Sequence, residues 1–159
     1  GAFQHPEKLI PLTIVNAVYG KPLPIYGDGS QIRDWLLVDD HVAALQVIGE
    51  RSQPGETYNI GGGYQAKNIN VVRMICDILN HKISERDRVV NDYASLITFV
   101  EDRAGHDKRY AVDGSKLLRD FGWKPRSDFQ NGLSQTVDWY LSNIDWCVNI
   151  LKKSRSAEN

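Results

Sequence analysis

Cysteine is scarce in this chain: Cys76 and Cys147 are the two among 159 residues, far apart and each inside an apolar helical pattern. That spacing argues against a disulfide framework or a zinc site. The four histidines, His5, His41, His81 and His106, form no i,i+4 pair and have no cysteine partner, so no metal is expected. No apolar run approaches the ~20 residues that cross a bilayer. Gly1 to Pro6 lacks the charged and apolar regions of a signal peptide. An excess of either charge is missing as well: 19 Lys+Arg against 20 Asp+Glu leave a net −1, with no built-in pull toward nucleic acid or anionic membrane. No Walker motif, GxGxxG fingerprint or Gly-x-Ser-x-Gly elbow occurs. Repeats and low-complexity stretches are absent too. A soluble, cytoplasmic chain is expected, and its length suits one domain. With 42% hydrophobic and 25% charged residues it has the make-up of an ordinary globular core.

Helical and strand periods alternate, which points to an α/β or α+β arrangement. Pro6-Glu7 opens and Gly20 closes an apolar helical segment, in which Pro11 predicts a kink or a later start. Leu23–Tyr26 and Gln31–Val38 flank Gly27-Asp-Gly-Ser30 and read as a hairpin. A helix is expected over 41–51, with Asp39 and Asp40 as N-cap candidates. Glu56–Ile60 reads as a short strand, Val71–Leu79 as a helix capped by Asn70, Leu96–Val100 as a strand, and Tyr110–Val112 as another candidate. A short helix from Gly114 to Phe121 ends at Gly122, a longer one covers 129–141, and residues 152–159 read as frayed.

Three features could carry chemistry. Gly61-Gly62-Gly63 follows an expected strand, but seven residues separate it from Val71. A nucleotide fingerprint leads straight into a helix N-terminus, so a tight turn competes with a phosphate cradle here. In the expected hairpin Tyr26 and Arg33 emerge on one face. An aromatic plate beside a guanidinium fork suits a base-plus-phosphate ligand; a core Tyr and an Arg33–Asp34 surface pair are the plain alternative. Glu101–Arg109 is the densest charged stretch, and Arg103, His106, Lys108 and Arg109 could line an anion loop around Gly105, or simply face solvent. The tryptophans at 35, 123, 139 and 146 read as core or interface anchors.

Several segments, taken in order, resemble successive motifs of one family. They are His5-Pro-Glu-Lys-Leu-Ile-Pro11, Pro24-Ile-Tyr-Gly-Asp-Gly29, Gln31-Ile-Arg-Asp-Trp-Leu36 and Val38-Asp-Asp-His41. Gly55-Glu-Thr-Tyr-Asn-Ile-Gly-Gly62, Lys67-Asn68, Ile97-Thr-Phe-Val100, Asp102-Arg-Ala-Gly-His-Asp107 and Gly122-Trp-Lys-Pro125 continue the series. Together they resemble the C-terminal half of the dTDP-glucose 4,6-dehydratases, extended short-chain dehydrogenase/reductases. The Arg-Asp-Trp segment alone would mark only the wider sugar-nucleotide epimerase/dehydratase group.

The resemblance implies an α/β sugar-nucleotide-binding domain over 1–146, with 147–159 as a divergent tail. It implies an NAD-dependent lyase that oxidises the hexose at C4, removes water across C5–C6 and returns the hydride to C6. In that family NAD and the Tyr-x-x-x-Lys pair belong to an N-terminal Rossmann half. Tyr-x-x-x-Lys does not occur in this sequence, so this chain alone is expected to bind no NAD and to be inactive. Family contacts to a dTDP-sugar fall on Lys8 and Leu9 near the nucleoside and on Pro24, Ile25 and Tyr26 around the thymine. Arg33 would meet the diphosphate, Asn68 would lie beside the nucleotide, and Asp102, Arg103, Ala104, Gly105 and His106 would form the second phosphate-side loop. Ala104 stands where the family has proline, which removes pre-organisation of about 0.4–1 kcal/mol. A late tyrosine of the family has no counterpart. The resemblance also implies an interface toward the Rossmann half, leaving Trp35–Val38 as an exposed apolar patch that either self-associates or receives that half. A non-catalytic nucleotide- or protein-binding module, and a piece of a UDP-sugar epimerase, remain the alternatives.

Overall fold

The computed structural model describes residues 1–157, with side chains through residue 153. Among the described residues six helices accompany two small sheets: α1 (Leu9–Val18), β1 (Leu23–Tyr26), β2 (Ile32–Trp35), α2 (Val38–Arg51), β3 (Tyr64–Lys67), α3 (Asn68–Lys82), β4 (Ile97–Val100), α4 (Ser115–Phe121), α5 (Phe129–Ser142) and α6 (Ile144–Ala157). Short 3₁₀ turns at Glu85–Asp87 and Tyr93–Leu96 link α3 to β4.

α3 is the centre of the packing. Its Val71, Val72, Ile75, Cys76 and Leu79 recur at helical spacing and are fully buried, meeting Ile10, Ile14 and Ala17 of α1 and Leu133, Val137 and Tyr140 of α5. Leu23 and Ile25 put one face of β1 into the same core. Burying each of these side chains contributes about 1.5–3 kcal/mol. Pro11 is the third residue of α1, where its missing N–H is one of the helix's unpaired donors anyway, so it neither kinks nor delays the helix.

The expected hairpin does not form. β1 pairs in parallel with β4, Leu23 opposite Ile97 and Tyr26 opposite Val100, whereas β2 pairs antiparallel with β3, Ile32 opposite Lys67 and Trp35 opposite Tyr64. The Gly27–Ser30 loop therefore carries the chain from one sheet to the other. It is turned by the Ser30 N–H donating to Asp28 Oδ1 (2.9 Å) and tied to α3 by the Ile69 N–H donating to the Gly29 carbonyl (3.1 Å). The apolar side of β1 is satisfied by α1 and α3, and its open edge by a strand 70 residues away, a choice that no local pattern reveals.

Other expectations shift for similar reasons. Residues 56–60 lie outside the strands, held by Lys116 of α4 to Glu56 (2.5 Å) and the Thr57 carbonyl (2.9 Å). α3 begins at Asn68 rather than Val71, with Lys67 at its N-cap. Near Tyr110 there is a single bridge, Arg109 to Ile32, rather than a strand. Asp39 and Asp40 occupy the first turn of α2 behind an N-cap at Leu37; buried Asp40 instead accepts the backbone N–H groups of Arg126 (3.0 Å) and Ser127 (3.3 Å). α4 ends at Gly122 as expected, and that glycine is left-handed. Past residue 141, where no further helix is expected and 152–159 read as frayed, the chain forms α6. α6 packs back on α5, Trp146 against Trp139 (ring centroids 5.4 Å), and runs through Ala157; residues 158 and 159 lie outside the described residues.

The triple glycine is a packing device. Gly62 donates its N–H to Asp34 Oδ1 (2.6 Å), and a Cβ there would lie 2.0 Å from the Trp35 carbonyl oxygen. Gly62→Ala must therefore force β2 away from its own clamp. It is expected to cost about 2 kcal/mol or more, seen as a thermal midpoint lower by about 5 °C or more; an unchanged midpoint would contradict this packing. A second expectation concerns alkali. Burial pushes the Cys76 thiol up to about 12. An unfolded thiol ionises near about 8.5, so above that pH the unfolded chain sheds a proton that the folded chain keeps, and stability falls as pH rises. The urea midpoint should drop between pH 7 and 10, and less steeply in Cys76→Ala; equal slopes would exclude the thiol as the cause.

Candidate nucleotide-binding site

The parallel pairing of β1 with β4 brings the carboxyl ends of both strands to one place. The Gly27 N–H donates to the Val100 carbonyl (2.9 Å), and the two chains then diverge as the Gly27–Ser30 loop and the 101–109 loop. Gly27 has φ +59°, and a Cβ on it would lie 3.0 Å from Asp102 Oδ2. Its glycine lets the two loops touch.

Asp102 fastens that contact. Its Oδ2 accepts Gln31 Nε2 (3.0 Å); its Oδ1 accepts the Arg103 N–H (2.8 Å) and faces His106 Nδ1 (2.6 Å). The His106 hydrogen bond, helped by the Arg103 N–H and the Gln31 amide, holds the Asp102 carboxyl below the usual carboxylate range. Gln31 is 5% exposed and also donates to the Tyr26 carbonyl (3.2 Å), so one amide spans the end of β1 and the new loop.

His106 passes the constraint on. Its other ring nitrogen, Nε2, lies 3.1 Å from Arg33 Nη2. Arg33 can only donate, so Nε2 accepts and Nδ1 carries the proton given to Asp102, a tautomer fixed by the network. Arg33 also donates from Nη1 to the Ile32 carbonyl (2.8 Å), and its Cζ lies 4.6 Å from the centre of the Tyr110 ring. On the other side the Tyr26 ring, 44% exposed, lies edge-on to His106 (6.3 Å), with the Arg103 guanidinium 5.0 Å from its centre. Arg33, Arg103, Ala104, Gly105, His106 and Tyr110 thus line one open cleft of about 290 Å³, with Asp107 at its wall.

Tyr26 and Arg33 do come together, through His106 rather than through hairpin register. Arg33 has not paired with Asp34, which is committed to Gly62, and Tyr26 is not in the core. Among the loop cations Arg103 joins the cleft, whereas Arg109 turns away to Gln65 Oε1 (2.7 Å). Pro24 shares the Tyr26 face of β1. The Ile25 side chain is 1% exposed in the core, so any contact it makes with a ligand is through its backbone. Asn68, the first residue of α3, donates its backbone N–H to the Gln31 carbonyl (3.0 Å), and its buried Oδ1 has no hydrogen-bond partner. Lys8 and Leu9 are the N-cap and first residue of α1, and the case for them is the resemblance. Two residues of the site were not anticipated. Gln31 carried no signal beyond lying beside Arg33; Tyr110 carried a weak one, lying three residues after Asp107 in the charged stretch.

The triple glycine does not have the form of a dinucleotide cradle. Gly61–Gly63 leads into β3, and its middle N–H is spent on Asp34. These residues do not fit an NAD pyrophosphate cradle, which needs free N–H groups at a helix N-terminus. The expected Trp35–Val38 patch is also redrawn. Trp35, Leu36 and Leu37 are half-buried, with Trp35 6.2 Å from Phe129 of α5 and Gly132 beneath Leu37, so the strongly exposed apolar residues lie further along α2, at Val42 (56%) and Leu45 (51%) beside Val38 (39%). No helix among the described residues is long and apolar enough to cross a membrane.

Known proteins share this architecture. A dTDP-glucose 4,6-dehydratase of Neisseria meningitidis serogroup B is 53% identical over 158 residues, covering 99% of this chain and 44% of that protein. The crystal structure of a Bacillus anthracis dTDP-glucose 4,6-dehydratase in complex with NAD superposes with a TM-score of 0.81 at 42% identity, over 94% of this chain and 44% of that one. One from Streptomyces venezuelae, with NAD and a second ligand bound, gives 0.84 at 38% identity, over 94% and 43%. The chain thus spans under half the length of the relatives it matches. A family model, GDP-mannose 4,6 dehydratase, matches residues 2–136, and the chain belongs to that family.

Proposed function

We propose that this chain is the sugar-nucleotide-binding portion of a dTDP-glucose 4,6-dehydratase. The observation behind the reading is the Asp102–His106–Arg33 relay, beside which two guanidiniums line one cleft and the exposed Tyr26 ring lies against His106 and Arg103. A nucleoside diphosphate offers what such a cleft takes: oxygens for the Arg33 and Arg103 forks and a flat base for Tyr26. The relatives' names supply the thymidine nucleotide and the dehydration. In this account Pro24, the Ile25 backbone and Tyr26 meet the base, with Lys8 and Leu9 near the nucleoside. Asn68, whose buried Oδ1 is without a hydrogen-bond partner, lies beside the nucleotide, and Asp102, Ala104 and Gly105 shape the loop that presents Arg103 and His106. NAD, when present, supplies hydride transfer at the sugar; this chain's residues hold and orient the substrate's diphosphate end.

The remainder of such an enzyme is the partner we assign to α2. Val38, Val42 and Leu45 recur at i, i+4 and i+7 on one exposed helical face, an apolar stripe that an isolated soluble chain would cover. The NAD-holding portion of the enzyme is the occupant proposed, with self-association as the outcome when it is missing. The same reading places the protein in the cytoplasm, in keeping with two buried free cysteines.

Calorimetry with dTDP and UDP tests the nucleotide assignment. dTDP is expected to bind, UDP more weakly, and Arg33→Met to lower dTDP affinity about 10–100-fold, as loss of a charge-assisted fork does. Equal affinity for the two nucleotides would favour the epimerase alternative. Incubated with dTDP-glucose and NAD, the chain alone is expected to show no turnover. Adding a separately produced N-terminal portion of a close dehydratase should restore it, and Val42→Glu/Leu45→Glu should block that rescue. Turnover by the unaided chain would overturn this division of labour.

A further inference from the structure

Tyr110 lies outside the set of residues assigned to the nucleotide, yet it touches the cation at the centre of the cleft. Its ring sits under the Arg33 guanidinium, Cζ to centroid 4.6 Å. The ring is fixed at both ends. At the outer end the phenol hydroxyl donates to Asp107 Oδ2, and this hydrogen bond, with the nearby Asp107 charge, raises the phenol above its usual range and keeps it a donor. At the inner end the Tyr110 N–H donates to the Ile32 carbonyl (3.0 Å), and the Ile32 N–H donates back to the Lys108 carbonyl (2.9 Å). That same Ile32 oxygen accepts Arg33 Nη1 (2.8 Å). One carbonyl thus anchors both the plate and the fork that rests on it.

We propose that Tyr110 is a positioning residue for Arg33: its tethered ring fixes the plane of the guanidinium so that the remaining N–H groups point into the cleft toward a diphosphate. The inference rests on the nucleotide-diphosphate reading given above. His106 Nε2 and the Ile32 carbonyl each restrain one Arg33 nitrogen in the guanidinium plane. Neither opposes rotation of that plane out of register, and a ring face does. Tyr110 is 53% exposed, so it is poorly explained as core. Arg103 over the Tyr26 ring (5.0 Å) repeats the arrangement, so that each of the two guanidiniums lining the cleft is seated on an aromatic plate. Lysine at position 33 would keep the charge but lose the stacking.

The test is a double-mutant cycle on dTDP affinity, read by NMR titration of the full chain. Tyr110→Leu should weaken dTDP binding about 3–10-fold with the thermal midpoint nearly unchanged, whereas Tyr110→Phe, which keeps the ring, should stay within about 2-fold of wild type. In an Arg33→Lys background Tyr110→Leu should have no further effect; an undiminished loss there would mean that Tyr110 acts otherwise, and would overturn the proposal. A ligand-free readout stands beside it: the Arg33 Nε–H signal should exchange with water faster in Tyr110→Leu than in wild type, and equal exchange would overturn the proposal too. If wild type binds dTDP and Tyr110→Leu binds it equally well, only this inference falls. If wild type binds no dTDP at all, the nucleotide reading falls and this one with it.

Discussion

A single carboxylate holds the candidate site together. Asp102 accepts from Gln31, from the Arg103 backbone and from His106, and so joins a loop that follows β4 to one that follows β1. The joint effect of these bonds is geometric: they fix the His106 tautomer, and through it one side of the Arg33 guanidinium. Without Asp102 the cleft would still contain both arginines, but His106 would lose the partner that fixes its tautomer, and Arg33 would keep only the Ile32 carbonyl and the Tyr110 ring to orient it. The stable core formed by α1, α3 and α5 is what makes such orientation possible, because it sets β1 against β4 in one register.

The site sits at the carboxyl ends of two parallel strands, where an α/β sheet leaves its loops free to diverge and a crevice opens between them. Two requirements meet there. The loops must be close enough to share hydrogen bonds, which Gly27 allows by having no Cβ, and polar enough to remain open to an anion. On the proposed reading the cleft completes only half of a catalytic centre. The triple-glycine segment is spent on packing against β2, and on that same proposal the chemistry at the sugar would fall to groups from elsewhere in the enzyme. The apolar stripe on α2 is where such a partner would seat.

Legibility in the sequence followed the range of the forces involved. Helices were readable because their apolar period and their end signals are local: Gly20, Gly122 and the 129–141 stripe each mark what is observed. Strand pairing was not. Leu23–Tyr26 and Ile32–Trp35 carry hairpin chemistry between them, but the choice of β4 and β3 as partners is made by packing 30 to 70 residues away. Tyr26 and Arg33 were picked out by a register that does not exist, and they meet all the same because a distant histidine lies between them. The 102–106 loop stood out by charge and by family resemblance. Gln31 stayed hidden because a buried amide in a strand-like run looks like any other polar residue, and Tyr110 because its partner Arg33 is remote in sequence.

On the proposed reading, residues from distant parts of the chain form one diphosphate-binding unit. Backbone amide and arginine side-chain shifts recorded during titration with dTDP test it most directly. Tyr26, Gln31, Arg33, Asn68, Arg103 and His106 should move together with a single saturation curve. Shifts confined to one loop, scattered over both faces of the molecule, or absent at millimolar nucleotide would contradict the account.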